Sequence, residues 1–385
     1  MESRAFFGAE RANIDLLWRL QQRGASVSCL VRAEDWPENL RVRRVLEDRK
    51  ISWQRSVFPE YPSSRYWKYW PKVLSQLPFR YLSLNKLATA IIQRDSITHL
   101  HLFNPIQAAN LYATIERTRV SVIYRCGDSP ATHNTFYRAI WTWLQRRVDH
   151  VVTESNFIRN KVLSLGFPAE RVHLIRTPPP VRVIKSPFQP LDIGLNEVNK
   201  RRNMVFGYVG QISEAKGVPL LLASFRKVLE EISDVRLLLA GPITDPYSKG
   251  LENEVSRWAS PQQVEFLGEI EDVPGFLSAC DVHVAPSIRP ESYGIVAIEA
   301  KSEGVPSVVF SEGGLGELVT HGVDGIVVEQ KRPESLATAM LEYIKNPGLV
   351  SQHGRSAQAS IQGHLQVHRH DDLWWQLYTS NSGSG

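Results

Sequence analysis

The sequence predicts an α/β protein built from two doubly wound parallel sheets. Three observations lead there. Short β-branched runs alternate with amphipathic helical segments along most of the chain, the pattern of parallel strands covered by helices on both faces. The alternation is interrupted once, by a proline-rich stretch with no period. At 385 residues, the chain is longer than one core usually organises and suits two domains of ordinary size.

In the first half, "RANIDLLWRLQQRG" (11–24) reads as a helix stopped by Gly24, followed by the strand "SVSCLV". Further strands are expected at "ITHLHLF" (97–103), "VSVIYRC" (120–126) and "HVVTES" (150–155). Only about seven residues precede the turn "FFGAER", where such a sheet usually places a central strand. Either "RAFF" is a very short strand or the natural start lies upstream, and the second is the expectation. The stretch 176–203, with five prolines, reads as an extended interdomain linker.

The second half is more regular. Strands are expected at 204–210, 235–242, 281–287, 305–310 and 325–330, and helices at 218–232, 272–280, 293–304 and 333–346. In such sheets ligands bind beyond the C-terminal strand ends, where Gly210, Gly241, Ser287 and Ser311 fall. The expected domains are 1–185, a linker 186–203, 204–362, and a C-terminal helix 363–380 packing back toward the first domain. Residues 381–385 read as a flexible tail.

Composition is that of a soluble globular protein, 43% hydrophobic and 22% charged. No apolar run approaches the roughly 20 residues that span a bilayer. Three scattered cysteines, Cys29, Cys126 and Cys280, point to a reducing cytosol. Residues 1–200 carry thirty Lys and Arg against seventeen Asp and Glu, while the remainder is net acidic. A basic half implies an anionic partner such as phosphate, nucleic acid or an acidic membrane surface.

"RPESYGIVAIEAKSEGVPSVV" (289–309) sets Glu291 and Glu299 eight residues apart. If residues 292–301 are helical, that spacing is about 12 Å with both carboxylates near one face, longer than the roughly 5–9.5 Å of a glycosidase pair; the alternative places Glu291 in the preceding loop. Two contacts on one extended ligand fit better. The amides of Ser292, Tyr293 and Gly294 would open the helix toward an anion. Ordinary helix chemistry, an acidic N-terminus plus a solvated Glu, fits the spacing equally well.

"GYVGQISEAKG", "LLLAGP", "DVHVAPSIRPESYGIVAIEAKSEGVPSVV" and "EGGLGELVTHGVDGIVV" resemble, in order and spacing, the donor-binding half of family 4 retaining glycosyltransferases. Weaker echoes, "GAERANIDLLWRLQQRGASVSCLV" and "VDHVVTESNFIRNKVLSLGF", extend the resemblance over most of the chain. It implies the GT-B fold, two facing Rossmann-like domains with an interdomain cleft. It also implies transfer of a sugar from a nucleotide-diphosphate sugar to a hydroxyl of a glycan or lipid-linked acceptor, with retention. Glu291 would contact the transferred sugar, and Glu299 the ribose. Lys216 would pair with the diphosphate, and Gly8, in a first-half loop, would let backbone approach the donor. Gly210 and Gln211 form the first donor-domain turn. No cofactor or metal is implied, and no nucleic-acid partner is expected.

The chain departs from the family pattern at Gln211, where Arg is usual, at Gly127, where His is common, and at "RTPPP" after "VHLI". Arg125 or Asp128, flanking Gly127, would supply part of the missing electrostatics. His99 and His101 form an H-x-H pair on one strand face, a poor zinc site alone. Around residues 65–87, Arg65, Trp67, Lys68, Trp70 and Lys72 interleave basic and aromatic side chains, suiting a lipid headgroup surface or acceptor. The location expected is cytoplasmic, at the inner face of the membrane. The alternatives are a nucleotide-sugar epimerase of the same fold and a catalytically weakened sugar-nucleotide-binding protein.

Overall fold

The structure is a computed structural model that describes residues 8–59, 70–178, 204–243, 246–361 and 367–380. The expected strand before Gly8, the linker 186–203, the tail, and Arg65, Trp67 and Lys68 lie outside the described residues. The chain divides into two compact units, one of Met1–Glu154, Ile158–Thr177 and His368–Gly385, the other of Ser155–Phe157 and Pro178–Val367.

The first unit opens with α1 (Gly8–Gln22), so Gly8 is the first helical residue and not a loop residue. Gly24 then adopts φ +99°, the left-handed turn that only glycine takes without strain. β1 (Ser28–Arg32), α2 (Pro37–Asp48) and β2 (Ser52–Ser56) follow, with β1 and β2 paired in parallel. The 25-residue α3 (Trp70–Arg94) leads to β3 (His99–Leu102), α4 (Pro105–Asn110), α5 (Tyr112–Thr118) and β4 (Ser121–Cys126). Next come α6 (Thr135–Arg147), β5 (His150–Thr153), α7 (Asn156–Ser164) and β6 (Val172–Leu174). Strands β3 to β6 form a second parallel sheet in sequential order. The polar alternation of "SWQRS" concealed β2 from a search for apolar runs.

The second unit is one six-stranded parallel sheet in the order β12-β11-β10-β7-β8-β9. In chain order it runs β7 (Met204–Val209), α8 (Val218–Glu231), β8 (Val235–Ala240), α9 (Pro246–Val255), β9 (Val264–Gly268) and α10 (Val273–Ser278). Then follow β10 (Val282–Ala285), α11 (Ile295–Ser302), β11 (Ser307–Phe310), α12 (Gly314–Leu318), β12 (Gly325–Val328), α13 (Pro333–Lys345) and α14 (Gly348–Ile361). The strands are apolar on both faces because both are covered. Phe206, Leu237 and Val282 pack toward α8 and α13, while Val205, Leu238 and Ala240 pack toward α10 and α11.

The last helix, α15 (Val367–Thr379), belongs to the first unit. Trp374 is 1% exposed and packs with Leu16, Leu20, Ile123 and Val152. Arg19 Nε donates to Asp371 Oδ1 at 2.8 Å, tying α1 to α15.

Candidate active site

The strand order of the second unit reverses between β7 and β10: β8 and β9 extend one way, β11 and β12 the other. At such a switch point the loops leaving two adjacent strands diverge and open a crevice beyond their C-terminal ends. Lys216 lies in the loop after β7 and Glu291 in the loop after β10. Lys216 Nζ donates to Glu291 Oε1 at 2.8 Å, and Ser287 Oγ donates to the same oxygen.

Close backbone contacts hold the two loops together. Arg289 N–H donates to Ala215 O at 3.0 Å. Gly217 has φ +75°, and a Cβ there would stand 1.8 Å from Pro286 O, so only glycine lets the β7 loop touch the end of β10. Behind it, a Cβ on Gly241 would fall 1.8 Å from Gly210 O. Tyr208 O–H donates to Gln211 O at 2.8 Å, fixing the turn after β7.

Glu291 is not on a helix. It forms a bridge with Gly313, and Gly314 N–H donates to Glu291 O at 2.7 Å. α11 begins at Ile295, capped by Gly294 at φ +98°. This corrects the expectation that Ser292, Tyr293 and Gly294 open the helix and that both glutamates share one of its faces. The left-handed glycine breaks the helical path one residue before Ile295. Tyr293 is buried against Leu315 and Leu318, and Glu299 sits largely buried in the second turn of α11. Nearby, Lys301 Nζ and Asp324 Oδ2 form a buried pair at 2.6 Å that fastens α11 to the loop before β12.

Beneath the site, His283 on β10 is fully buried, with Nδ1 3.0 Å from Ser307 Oγ. Burial pushes its pKa down to about 4, against an upward pull from the Glu291 carboxylate. Burial likewise raises the Tyr208 hydroxyl far above its ordinary value, with Glu291 adding to it. Ser287 was placed from the sequence at a strand end where ligands bind, whereas Gly313 and Gly314 were not singled out. The paired glycines of "EGGLGEL" are the signal that a backbone strand approaches closely there: a Cβ on Gly314 would meet Ser292 O at 2.3 Å.

In the first unit, Arg125 is turned inward at the end of β4 and is 3% exposed. It donates to Asn13 Oδ1 at 2.7 Å, Glu154 Oε1 at 2.8 Å and Thr177 Oγ1 at 2.8 Å. Its charge is committed to this buried network, which corrects the expectation of a cation available at the strand end. Asp128 is exposed, and a Cβ on Gly127 would make ordinary contact with Glu154 at 3.9 Å. His101 Nδ1 lies 2.6 Å from Tyr378 Oη. Burial first, and Arg125 second, push His101 down to about 3. Trp70 and Lys72 fall in the first turn of α3. Among the described residues no group of three or more His, Cys, Asp or Glu could hold a metal ion, and no helix is long and apolar enough to cross a membrane.

Two units of parallel sheet flanked by helices, one carrying a Lys–Glu–Ser cluster at its switch point, fit the GT-B fold of glycosyltransferases. Residues 7–178 match the model of "Glycosyltransferase Family 4" and residues 196–360 that of "Glycosyl transferases group 1". An uncharacterized glycosyltransferase of Methanocaldococcus jannaschii is 31% identical over 66% of this chain and 67% of its own. The lipopolysaccharide core biosynthesis mannosyltransferase LpcC of Rhizobium leguminosarum is 24% identical over 64% of this chain and 69% of its own. The structure of Anabaena HepE, in complex with UDP and glucose, superposes with a TM-score of 0.79 at 21% identity, covering 99% of this chain and 98% of that one. The chain belongs to the group 1, family 4 glycosyltransferases.

Proposed function

We propose that the second unit binds a nucleoside diphosphate sugar and that the enzyme transfers its sugar, with retention and without a metal, to a hydroxyl of a glycan or lipid-linked acceptor. The observation that carries this reading is the Lys216–Glu291–Ser287 cluster at the switch point. Lys216 and Glu291 are 37% and 22% exposed, so their pair is worth at most about 1 kcal/mol and exchanges readily for ligand oxygens. Glu291 then accepts from hydroxyls of the transferred sugar. Lys216 turns to the diphosphate, where a charge-assisted hydrogen bond is worth roughly 1.5–3 kcal/mol. Glu299, one turn into α11, binds the ribose. The departing diphosphate gathers negative charge, and a cation already positioned for it stabilises that charge without reorganisation. HepE was solved with UDP and glucose, so UDP-glucose is the first probe.

A thermal-shift screen of nucleoside diphosphate sugars and free diphosphates tests the reading, because a ligand that binds the native state raises Tm. A shift with at least one such sugar, lost in Lys216→Ala, supports it. No shift across uridine, guanosine and adenosine diphosphate sugars overturns it. Anomeric analysis of the transferred product by NMR decides retention, and activity unchanged by EDTA decides metal independence.

A further inference from the structure

The first unit carries, on α5 and α6, a group of aromatic and polar side chains that the donor site does not use. α6 buries Ile140, Trp141 and Leu144, and Trp141 meets Tyr124 and Phe167 edge-on. Phe136, Trp143 and Arg147 fall on another flank of α6, because residues seven and eleven apart return to nearly the same side of a helix. On α5, Tyr112 and Glu116 share a flank at i and i+4. The two flanks meet. The Tyr112 and Trp143 ring centroids are 5.0 Å apart, with their planes inclined at 50°. Trp143 Nε1 donates to Glu116 Oε1 at 2.7 Å, and Arg147 Nε stands 3.2 Å from the same oxygen.

These rings are not sealed in a core. Tyr112 is 47% exposed, and Phe136, about 10 Å along α6 from Trp143, is 44% exposed. Aromatic rings grouped in water mark an interaction site. The polar rim narrows the choice of partner. Glu116 and Arg147 both remain partly accessible, so a carboxylate acceptor and guanidinium donors stand beside the rings. A bilayer would have to strip water from that carboxylate, which is costly. A sugar would not, because its C–H face lies against the electron-rich face of an aromatic ring and its hydroxyls bond the charged rim.

We propose that Tyr112, Trp143, Glu116 and Arg147 form a glycan platform that holds the sugar chain of a polymeric acceptor, with Phe136 extending it to further sugar rings. Resting on the glycan acceptor of the proposed function, this platform narrows that acceptor to a chain of several sugars. It belongs to the first unit, whereas the Lys216 cluster belongs to the second. Holding the chain there raises the effective concentration of its end at the enzyme without adding to the chemistry.

Affinity electrophoresis of the full chain through gels containing dextran, laminarin or galactomannan tests the platform. The probes are neutral, because the basic excess of residues 1–200 would hold an acidic polymer by charge alone. At least one should retard the protein, and Tyr112→Ala and Trp143→Ala should each weaken the apparent affinity by about tenfold or more. The polymer that binds should also change the tryptophan emission, and Trp143→Phe should abolish that change. Tyr112 lies at the surface, so Tyr112→Ala should keep its Tm and carries the test if Trp143→Ala does not fold. Donor binding is read separately. The Tm shift with nucleoside diphosphate sugars should be the same in both variants, so loss of the platform and loss of the donor site are told apart. No retardation by any of the three polymers would overturn the proposal. So would retardation that both variants retain, or variants that lose vesicle binding in place of polymer binding.

Discussion

Lys216 and Glu291 neutralise each other at the reversal of the sheet, so replacing either changes the charge that the other presents. Glu291→Gln keeps the size of the side chain but weakens its acceptance of sugar hydroxyls. The expected result is a loss of about 10- to 100-fold in kcat/KM, equivalent to one charge-assisted hydrogen bond of roughly 1.5–3 kcal/mol, with affinity for the free nucleoside diphosphate nearly unchanged. Lys216→Ala should show the converse, weaker binding of the free diphosphate. Equal loss of both properties in both variants would mean that the pair only braces the loops. His283, buried below, makes a pH prediction. Its folded value, about 4, lies below the ordinary 6.5, so the unfolded chain binds the extra proton. The associated stability is whole above pH 6.5 and falls as the pH drops toward 4, by up to about 1.4 kcal/mol per pH unit. Urea midpoints measured at pH 7.5 and 5 should therefore differ less in His283→Asn, which still bonds Ser307 but does not titrate in this range. The meeting of Lys216 and Glu291 was legible in the sequence, because each stands in a motif just beyond a strand end of the second unit. The inward turn of Arg125 was not, since its partners Asn13, Glu154 and Thr177 lie far apart along the chain.

Glycines decide how the elements of the second unit meet. Gly217 seats the β7 loop on the end of β10, with φ +75° and no room for a Cβ beside Pro286 O. Gly250 lies in α9, and a Cβ there would meet nothing within 4 Å. The same substitution should act with opposite sign at the two places. Gly250→Ala is expected to stabilise by roughly 0.5–1 kcal/mol through helix propensity. Gly217→Ala should lower Tm and weaken diphosphate binding together, because Lys216 moves with the loop; normal diphosphate affinity in that variant would refute the coupling. At this scale the sequence showed β7, β8, β10, β11 and β12 and the helices α8, α10, α11 and α13 to within a few residues, since apolar runs and amphipathic periods mark covered strands and surface helices directly, but it did not show α9, β9, α12 or α14. It misjudged the entry to α11. A helical reading of "ESYGIVAIEA" cannot see that Gly294 adopts the left-handed conformation, a choice fixed by Leu315 packing 2.4 Å from where a Cβ would stand.

The doubly wound character of the whole molecule was readable because parallel strands must alternate with helices. The separation of β1 and β2 from the β3–β6 sheet was not, because an edge partner leaves no periodic trace in the strands that flank it. Charge is the other property of the whole chain, with the basic excess confined to residues 1–200. In that half, α3 presents Phe79 and Leu82, 71% and 65% exposed, on one flank with Lys86 one turn further on, while Leu74, 51% exposed, lies farther round the helix. Large exposed apolar side chains on a helix of the half that carries the basic excess make binding to an anionic bilayer the prediction to test. The chain should co-sediment with phosphatidylglycerol vesicles at low salt and much less with phosphatidylcholine vesicles. Salt should release it, because charges beyond about 10 Å are screened at 0.1 M. The double variant Phe79→Ser, Leu82→Ser removes apolar area that insertion would bury, worth about 1.5–3 kcal/mol for each fully buried side chain. It should weaken vesicle binding by about tenfold or more while leaving Tm almost unchanged, since neither side chain supports the core. Binding that survives this variant but disappears with salt would assign the contact to charge alone. The absence of binding to anionic vesicles at low salt would remove the membrane from the account and leave a glycan acceptor in its place.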